Sequence, residues 1–292
     1  MATQKEFRRS LLDASLARLK ERPGAGLLGY CAADPDLSVF LRGDALDVYW
    51  EGLVVFHVAL PSGRLQVGSG SDRPPQSFPR NLKDLTPSLI PTLVGWVKDH
   101  RAKKIGTIPE LRFESRVVRD NRGQGSPVLV IDRQIARPGI SQRLDLLLLD
   151  VGSKRLALAE LKADGNAETT GAILDQLDRY GKTFGNDRAL RADYETHLGQ
   201  LKDLGVITNG EAGIDVDREP LAIVMLAGFS VKSLGGGTTR GHFKKLLAKK
   251  KASYPTADVR MVTFPHWVEG TFTLPTPLSH LPTVEEWSDL YL

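Results

Sequence analysis

Asp145, Glu160 and Lys162 are the residues whose types and spacing could do chemistry. They lie in RLDLLLLDVGSKRLALAELKADG, residues 143 to 165, two apolar runs joined by Gly152, Ser153 and Lys154. A carboxylate inside an apolar strand costs free energy unless something compensates it. Glu160 and Lys162 are two apart, so on a strand they leave the same face while Leu161 leaves the other. The tight turn at 152 to 154 predicts a hairpin, which brings Asp145 close to Glu160. Two carboxylates and one ammonium then share one end of a sheet. That set suits metal-assisted hydrolysis of a phosphodiester. Mg²⁺ takes hard oxygen ligands, commonly one or two carboxylates with water and phosphate. It stabilises charge on the phosphate and lowers the pKa of a bound water. Mn²⁺ is the expected substitute. Lys162 would orient that water or offset developing negative charge. The bare carboxylates repel, and a cation resolves the conflict. Asp145→Asn or Glu160→Gln is therefore expected to leave the fold intact or slightly stabilise it without metal. The same three residues equally allow a structural ion pair.

The elements that must position these groups run from residue 106. PELRFESRVVRDN (109–121) reads as a helix with Pro109 in its first turn. SPVLVIDRQI (126–135), RLDLLLLDV (143–151) and RLALAELKAD (155–164) read as three strands. In ETTGAILDQLDRYGKTF (168–184), Ile173, Leu174, Leu177 and Tyr180 fall on one helical face. A second helix over 187–205, an apolar strand at 221–229, a basic amphipathic helix at 241–253 and a strand at 259–264 follow. The order predicts a mixed sheet flanked by helices.

This stretch, about residues 106 to 265, resembles the PD-(D/E)xK nuclease superfamily, the restriction-endonuclease-like fold. The resemblance implies an acid on the second core strand, here Asp145, and Glu-x-Lys on the third, here Glu160, Leu161 and Lys162. Leu144 stands where the superfamily name has proline. Gln176 and Tyr180 look like the Gln-x-x-x-Tyr signature of RecB-like nucleases, on the helix after the Glu-x-Lys strand. They are i and i+4, on one helical face. The resemblance gives Gln176 a part in orienting the site and puts Tyr180 near substrate phosphates; on the residues alone, Tyr180 is equally a core aromatic and Gln176 a solvated amide. It also implies a glutamate ligand from the first core helix. Glu114 is preferred to Glu110, which complements the helix dipole in the first turn.

Residues 1–105 read as a separate, small α+β module. Phe7, Leu11, Leu12, Leu16 and Leu19 have helical spacing up to a breaker at 22–24, short strands follow, and a helix is expected near 88–104. The predicted division is 1–105 and 106–292. Substrate selection, a partner protein and self-association as a homodimer are the roles open to the first part. In the second, Lys244 and Lys245 on the basic helix, with Arg240 beside the glycine-rich stretch SLGGGTTRG, are candidate phosphate contacts, and the same lysines equally fit a solvated helix face. That stretch lacks the Gly-Lys-Ser/Thr ending of a P-loop.

The chain has 292 residues, 41% hydrophobic and 25% charged, with a formal charge of +4. No apolar run approaches the ~18 residues that cross a bilayer, and the N-terminus lacks a secretory apolar core; a cytoplasmic protein with no membrane partner is expected. Cys31 is the single cysteine, which excludes an internal disulfide and a thiolate zinc cluster. The expected function is a Mg²⁺-dependent nuclease acting on DNA in preference to RNA. The alternative is a catalytically silent nucleic-acid-binding or assembly protein of the same α+β fold, and a third reading is an unrelated α/β protein with an accidental ion pair.

Overall fold

A computed structural model describes residues 8–69, 74–105, 109–123, 125–137, 140–164, 166, 169, 171–228, 238–264 and 271–291. The glycine-rich stretch before Thr238 lies outside them. The fold is mixed α and β, with two sheets and flanking helices. The chain forms two units: Met1–Arg119 with Gly123–Gly125 and Ala192–Glu211, and Asp120–Arg122 with Ser126–Arg191 and Ala212–Leu292.

Alternation of apolar and polar residues builds the first unit. Strands β1 (Leu37–Leu41), β2 (Ala45–Trp50), β3 (Leu53–Ala59) and β4 (Arg64–Val67) form an antiparallel meander in sequence order. Leu46 and Val48 of β2 are buried while Asp47 between them is half-buried, the pattern of a sheet with one covered face. Helices α1 (Asp13–Lys20), α2 (Gly24–Ala33), α3 (Ile90–Ile105) and α4 (Pro109–Asp120) complete it, the last ending at the unit's edge. In α3, Ile90, Leu93, Val94 and Val97 recur at helical spacing and are all buried. Two expectations are corrected here. Leu11 is buried but precedes α1, because the Gln200 amide takes both of its backbone groups, at 2.7 and 2.9 Å. Beyond the Arg22–Pro23 break the chain returns at once to helix in GAGLLGYCAA. Its three glycines hide the signal, but burial of Leu27, Leu28 and Cys31 overrides their low propensity.

The second unit follows the expected order. β5 (Val128–Arg137), β6 (Ile140–Asp150) and β7 (Arg155–Ala163) are antiparallel. After α5 (Ala172–Asn186) comes α6 (Arg188–Asp203), which belongs to the first unit from Ala192 on; β8 (Leu221–Ala227) then runs parallel to β7. After α7 (Thr238–Ser253), β9 (Val259–Phe264) runs parallel to β8, and α8 (Val284–Tyr291) closes the chain. The sheet order is β5-β6-β7-β8-β9, so β7 is central and carries antiparallel and parallel neighbours. Every residue of β7 after Arg155 is buried. The β6–β7 turn is fixed by Asp150, whose carboxylate accepts from the Ser153 N–H at 3.1 Å and the Leu278 N–H at 2.8 Å. Ile173, Leu174, Leu177, Tyr180 and Phe184 form the buried stripe of α5. Among the described residues, no helix is long and apolar enough to cross a membrane.

Candidate active site

The site begins where the β6–β7 ladder stops. Pairing runs from Asp150↔Arg155 to Leu146↔Ala159. One step further along the same register stand Asp145 and Glu160. There a side chain replaces the backbone ladder: the Leu161 N–H donates to Asp145 Oδ2 at 2.9 Å. Asp145 Oδ1 accepts from Gln134 Nε2 at 3.1 Å. Gln134 sits in β5 with φ of 47°, in the left-handed region, next to a register shift between Ile135 and Arg137. An irregular strand of this kind re-aims a side chain. Both carboxylate oxygens of Asp145 thus have a donor. That revises the expectation that Asp145→Asn is harmless, because an amide must turn its NH₂ toward one of the two donors.

Glu160 is 1% exposed. Its Oε1 accepts from Lys162 Nζ at 2.9 Å and its Oε2 from Gln176 Nε2 at 2.6 Å. Lys162, 6% exposed, leaves the same face of β7. Gln176 Nε2 also lies 2.5 Å from the Arg143 carbonyl oxygen, so α5 is tied to β6 and β7 through one amide. The electrostatics follow from burial. Loss of water raises the Glu160 carboxyl well above its ordinary value, the Asp145 carboxylate raises it further, and the Lys162 ammonium opposes both without overcoming them. The carboxyl of Glu160 is thereby driven toward its protonated form.

Asp145, Glu160, Lys162 and Gln176 converge as a set. Tyr180 is placed differently. It is fully buried, and its hydroxyl lies 2.6 Å from the Ile135 carbonyl oxygen and 2.9 Å from that of Gln142. It ties α5 to the β5–β6 hairpin. Glu114 is buried in α4 and Glu110 half-buried in its first turn, both in the first unit. Lys244 and Lys245 are exposed on α7, with Arg240 half-buried in its first turn. Two neighbouring lysines are committed elsewhere, Lys249 to Asp175 at 2.5 Å and Lys250 to Glu285 at 3.0 Å. Gln134 went unnoticed in the sequence. Asp132, Arg133 and Gln134 together interrupt the apolar run VLVIDRQI, and nothing in the pattern marks Gln134 among them.

Two carboxylates on one face, one with a raised pKa, suit a hard divalent cation, which could take the place of the proton on Glu160. Among the described residues, no group of three or more His, Cys, Asp or Glu side chains is placed to hold a metal ion, so water and substrate oxygens would complete the shell.

No family model matches the chain, and no solved structure matches it. The chain is similar to the ATP-dependent protease ATPase subunit HslU of two Caulobacter vibrioides strains, NA1000/CB15N and ATCC 19089, at 31% identity over 176 residues. The match covers 56% of this chain and 37% of each relative, so it spans little more than a third of their length. The tripeptide that closes an ATP-binding P-loop occurs here as Gly181-Lys182-Thr183, but Gln176 stands where that pattern needs glycine. The tripeptide lies inside α5, not in a loop before a helix, and Lys182 pairs with Asp178 one turn away at 2.7 Å.

Proposed function

We propose that the second unit is a Mg²⁺-dependent nuclease that hydrolyses phosphodiester bonds, in DNA in preference to RNA. The reading is carried by one observation: Asp145, Glu160 and Lys162 meet at the end of the β6–β7 ladder, with the Glu160 carboxyl desolvated and pushed up against a second carboxylate. Packing alone does not call for that arrangement, since crowded buried carboxylates oppose each other.

Asp145 and Glu160 would hold the cation. A bound Mg²⁺ supplies charge neutralisation at the phosphate and a more acidic water. Gln134 and the Leu161 N–H fix the Asp145 carboxylate, and Gln176 fixes Glu160, so neither must reorganise when substrate arrives. Lys162 stands beside Glu160 with an ammonium that orients the attacking water and offsets charge as it develops. In the overall step water adds to phosphorus, the bond to one ester oxygen breaks, and the departing alcohol takes a proton. Lys244, Lys245 and Arg240 would contact substrate phosphates. The HslU likeness does not displace this reading, because the Gly-Lys-Thr sequence lies within a helix.

The test is incubation with linear and circular, single- and double-stranded DNA, and with RNA, in Mg²⁺, Mn²⁺ or EDTA. Cleavage in either metal and none in EDTA is expected. Cleavage that persists in EDTA, or no cleavage of any substrate in Mg²⁺ or Mn²⁺, would overturn the proposal and favour a silent binding protein.

A further inference from the structure

The first unit holds a cleft of about 330 Å³ between the end of α1, the Arg22–Pro23 link, the β3–β4 turn and the short helix Leu82–Asp84. Its charged lining is Arg18, Arg22 and Lys83 against Glu21, with Ser62 and Asn81 adding polar groups. Arg18 is held in place: its Nη1 donates to the Pro61 carbonyl oxygen at 3.0 Å and to that of Leu60. Carbonyl acceptors fix a guanidinium without cancelling its charge. The β3–β4 turn approaches closely at Gly63, where φ is +71° and an added Cβ would stand 3.3 Å from Arg18 Nη1. The positive charge continues past the cleft. Arg64, the exposed first residue of β4, is near enough to His57 to oppose its protonation. On the other side of the balance Asp84 is hydrogen-bonded by Asn81 at 3.4 Å. In the lining of the cleft itself, three cations thus stand against one carboxylate.

We propose that this cleft binds the phosphates of a nucleic-acid backbone, which makes the first unit a substrate-holding element. The choice of a nucleic acid over other polyanions rests on the nuclease reading of the second unit. Each phosphate contact releases condensed counterions, so it appears in the salt dependence of binding.

The experiment is fluorescence anisotropy of the full chain with labelled 20-nucleotide single- and double-stranded DNA, in EDTA, over a salt series. Arg22 and Lys83 are exposed, so Arg22→Gln/Lys83→Gln should leave the fold intact, checked by circular dichroism. The double variant should flatten the slope of log K against log salt by about 1.8 for duplex or about 1.4 for single strand, at ~0.9 and ~0.7 per contact. Affinity at low salt should fall at least tenfold. Arg188→Gln, an exposed residue paired with Asp217 at 2.7 Å, should change neither. Inorganic phosphate at matched ionic strength should not displace the DNA. A wild-type slope in the double variant overturns the cleft proposal alone. So does displacement by phosphate, which would mark a small-anion site. No DNA binding by the wild-type chain overturns it together with the nuclease reading. Absent cleavage in Mg²⁺ with a flattened slope in the variant overturns the nuclease reading and supports the cleft.

Discussion

Each unit holds an acid beside a cationic or potentially cationic side chain on its sheet, and the two pairs behave in opposite ways. On the open face of the first sheet, Asp47 and His57 are cross-strand partners joined at 2.6 Å, with the His57 side chain 43% exposed. The hydrogen bond to Asp47 raises the His57 pKa, against burial and the Arg64 charge. In the second sheet, Glu160 and Lys162 are joined at 2.9 Å, and the Glu160 side chain is 2% exposed. Its pKa also rises, but here burial and a second carboxylate drive it toward the uncharged acid. Where water remains, pairing favours charge; where water is excluded, desolvation wins over one ammonium. The first arrangement is an ordinary surface pair. The second is the pair to which the proposed function assigns a divalent cation.

Breaking the buried pair should have the larger effects. Lys162→Ala should lower DNA cleavage by two to three powers of ten while changing DNA affinity little, because one lysine is a small part of a contact surface spread over many basic residues. Cleavage and binding on one substrate check it, and equal losses of both would make Lys162 an ordinary phosphate contact. Asp145→Asn should destabilise the metal-free protein by about 1–3 kcal/mol, since Gln134 and the Leu161 N–H both donate to this carboxylate. Thermal melts in EDTA read it; an unchanged melting temperature would show that those donors are satisfied without it.

The pH dependence sharpens the comparison. The folded pKa of Glu160 lies above its unfolded value, so its contribution to stability is present below that unfolded value, about 4.5, and is lost as pH rises through the folded pKa. Metal-free melts should decline over that window, and Glu160→Gln should flatten the decline. An identical pH profile in the variant contradicts the assignment. The smallest effect belongs to the open pair. The His57 pKa is also raised, so its contribution is full below about 6.5 and fades as pH rises through the folded pKa. Exposure limits it: His57→Gln should cost under about 1 kcal/mol at pH 6 and less at pH 9.

The contrast also explains what the sequence disclosed. The second sheet was legible because its strands are long apolar runs separated by a turn, and charges inside such runs stand out. Asp145, Glu160 and Lys162 were found that way, and Gln176 through its likeness to the Gln-x-x-x-Tyr signature. Gln134 was not, because its role depends on a left-handed backbone and a register shift that no local pattern announces. Tyr180 carried the right spacing, yet its hydroxyl turns to the β5–β6 backbone. In the first unit the strands from Ala45 on were visible through their turns and β1 was not, while α2 was masked by glycines and Leu11 was held by an amide 189 residues away.

Calorimetric titration of the metal-free protein with Mn²⁺ most directly tests whether the buried pair is a cation site or a structural ion pair. Runs in two buffers of different ionisation enthalpy also count the protons released. Cation binding by Asp145 and Glu160 predicts saturable uptake, tighter as pH rises, with a proton released that disappears in Glu160→Gln. Absence of binding, or equal binding in wild type, Asp145→Asn and Glu160→Gln, would contradict it and leave Glu160–Lys162 as a structural pair.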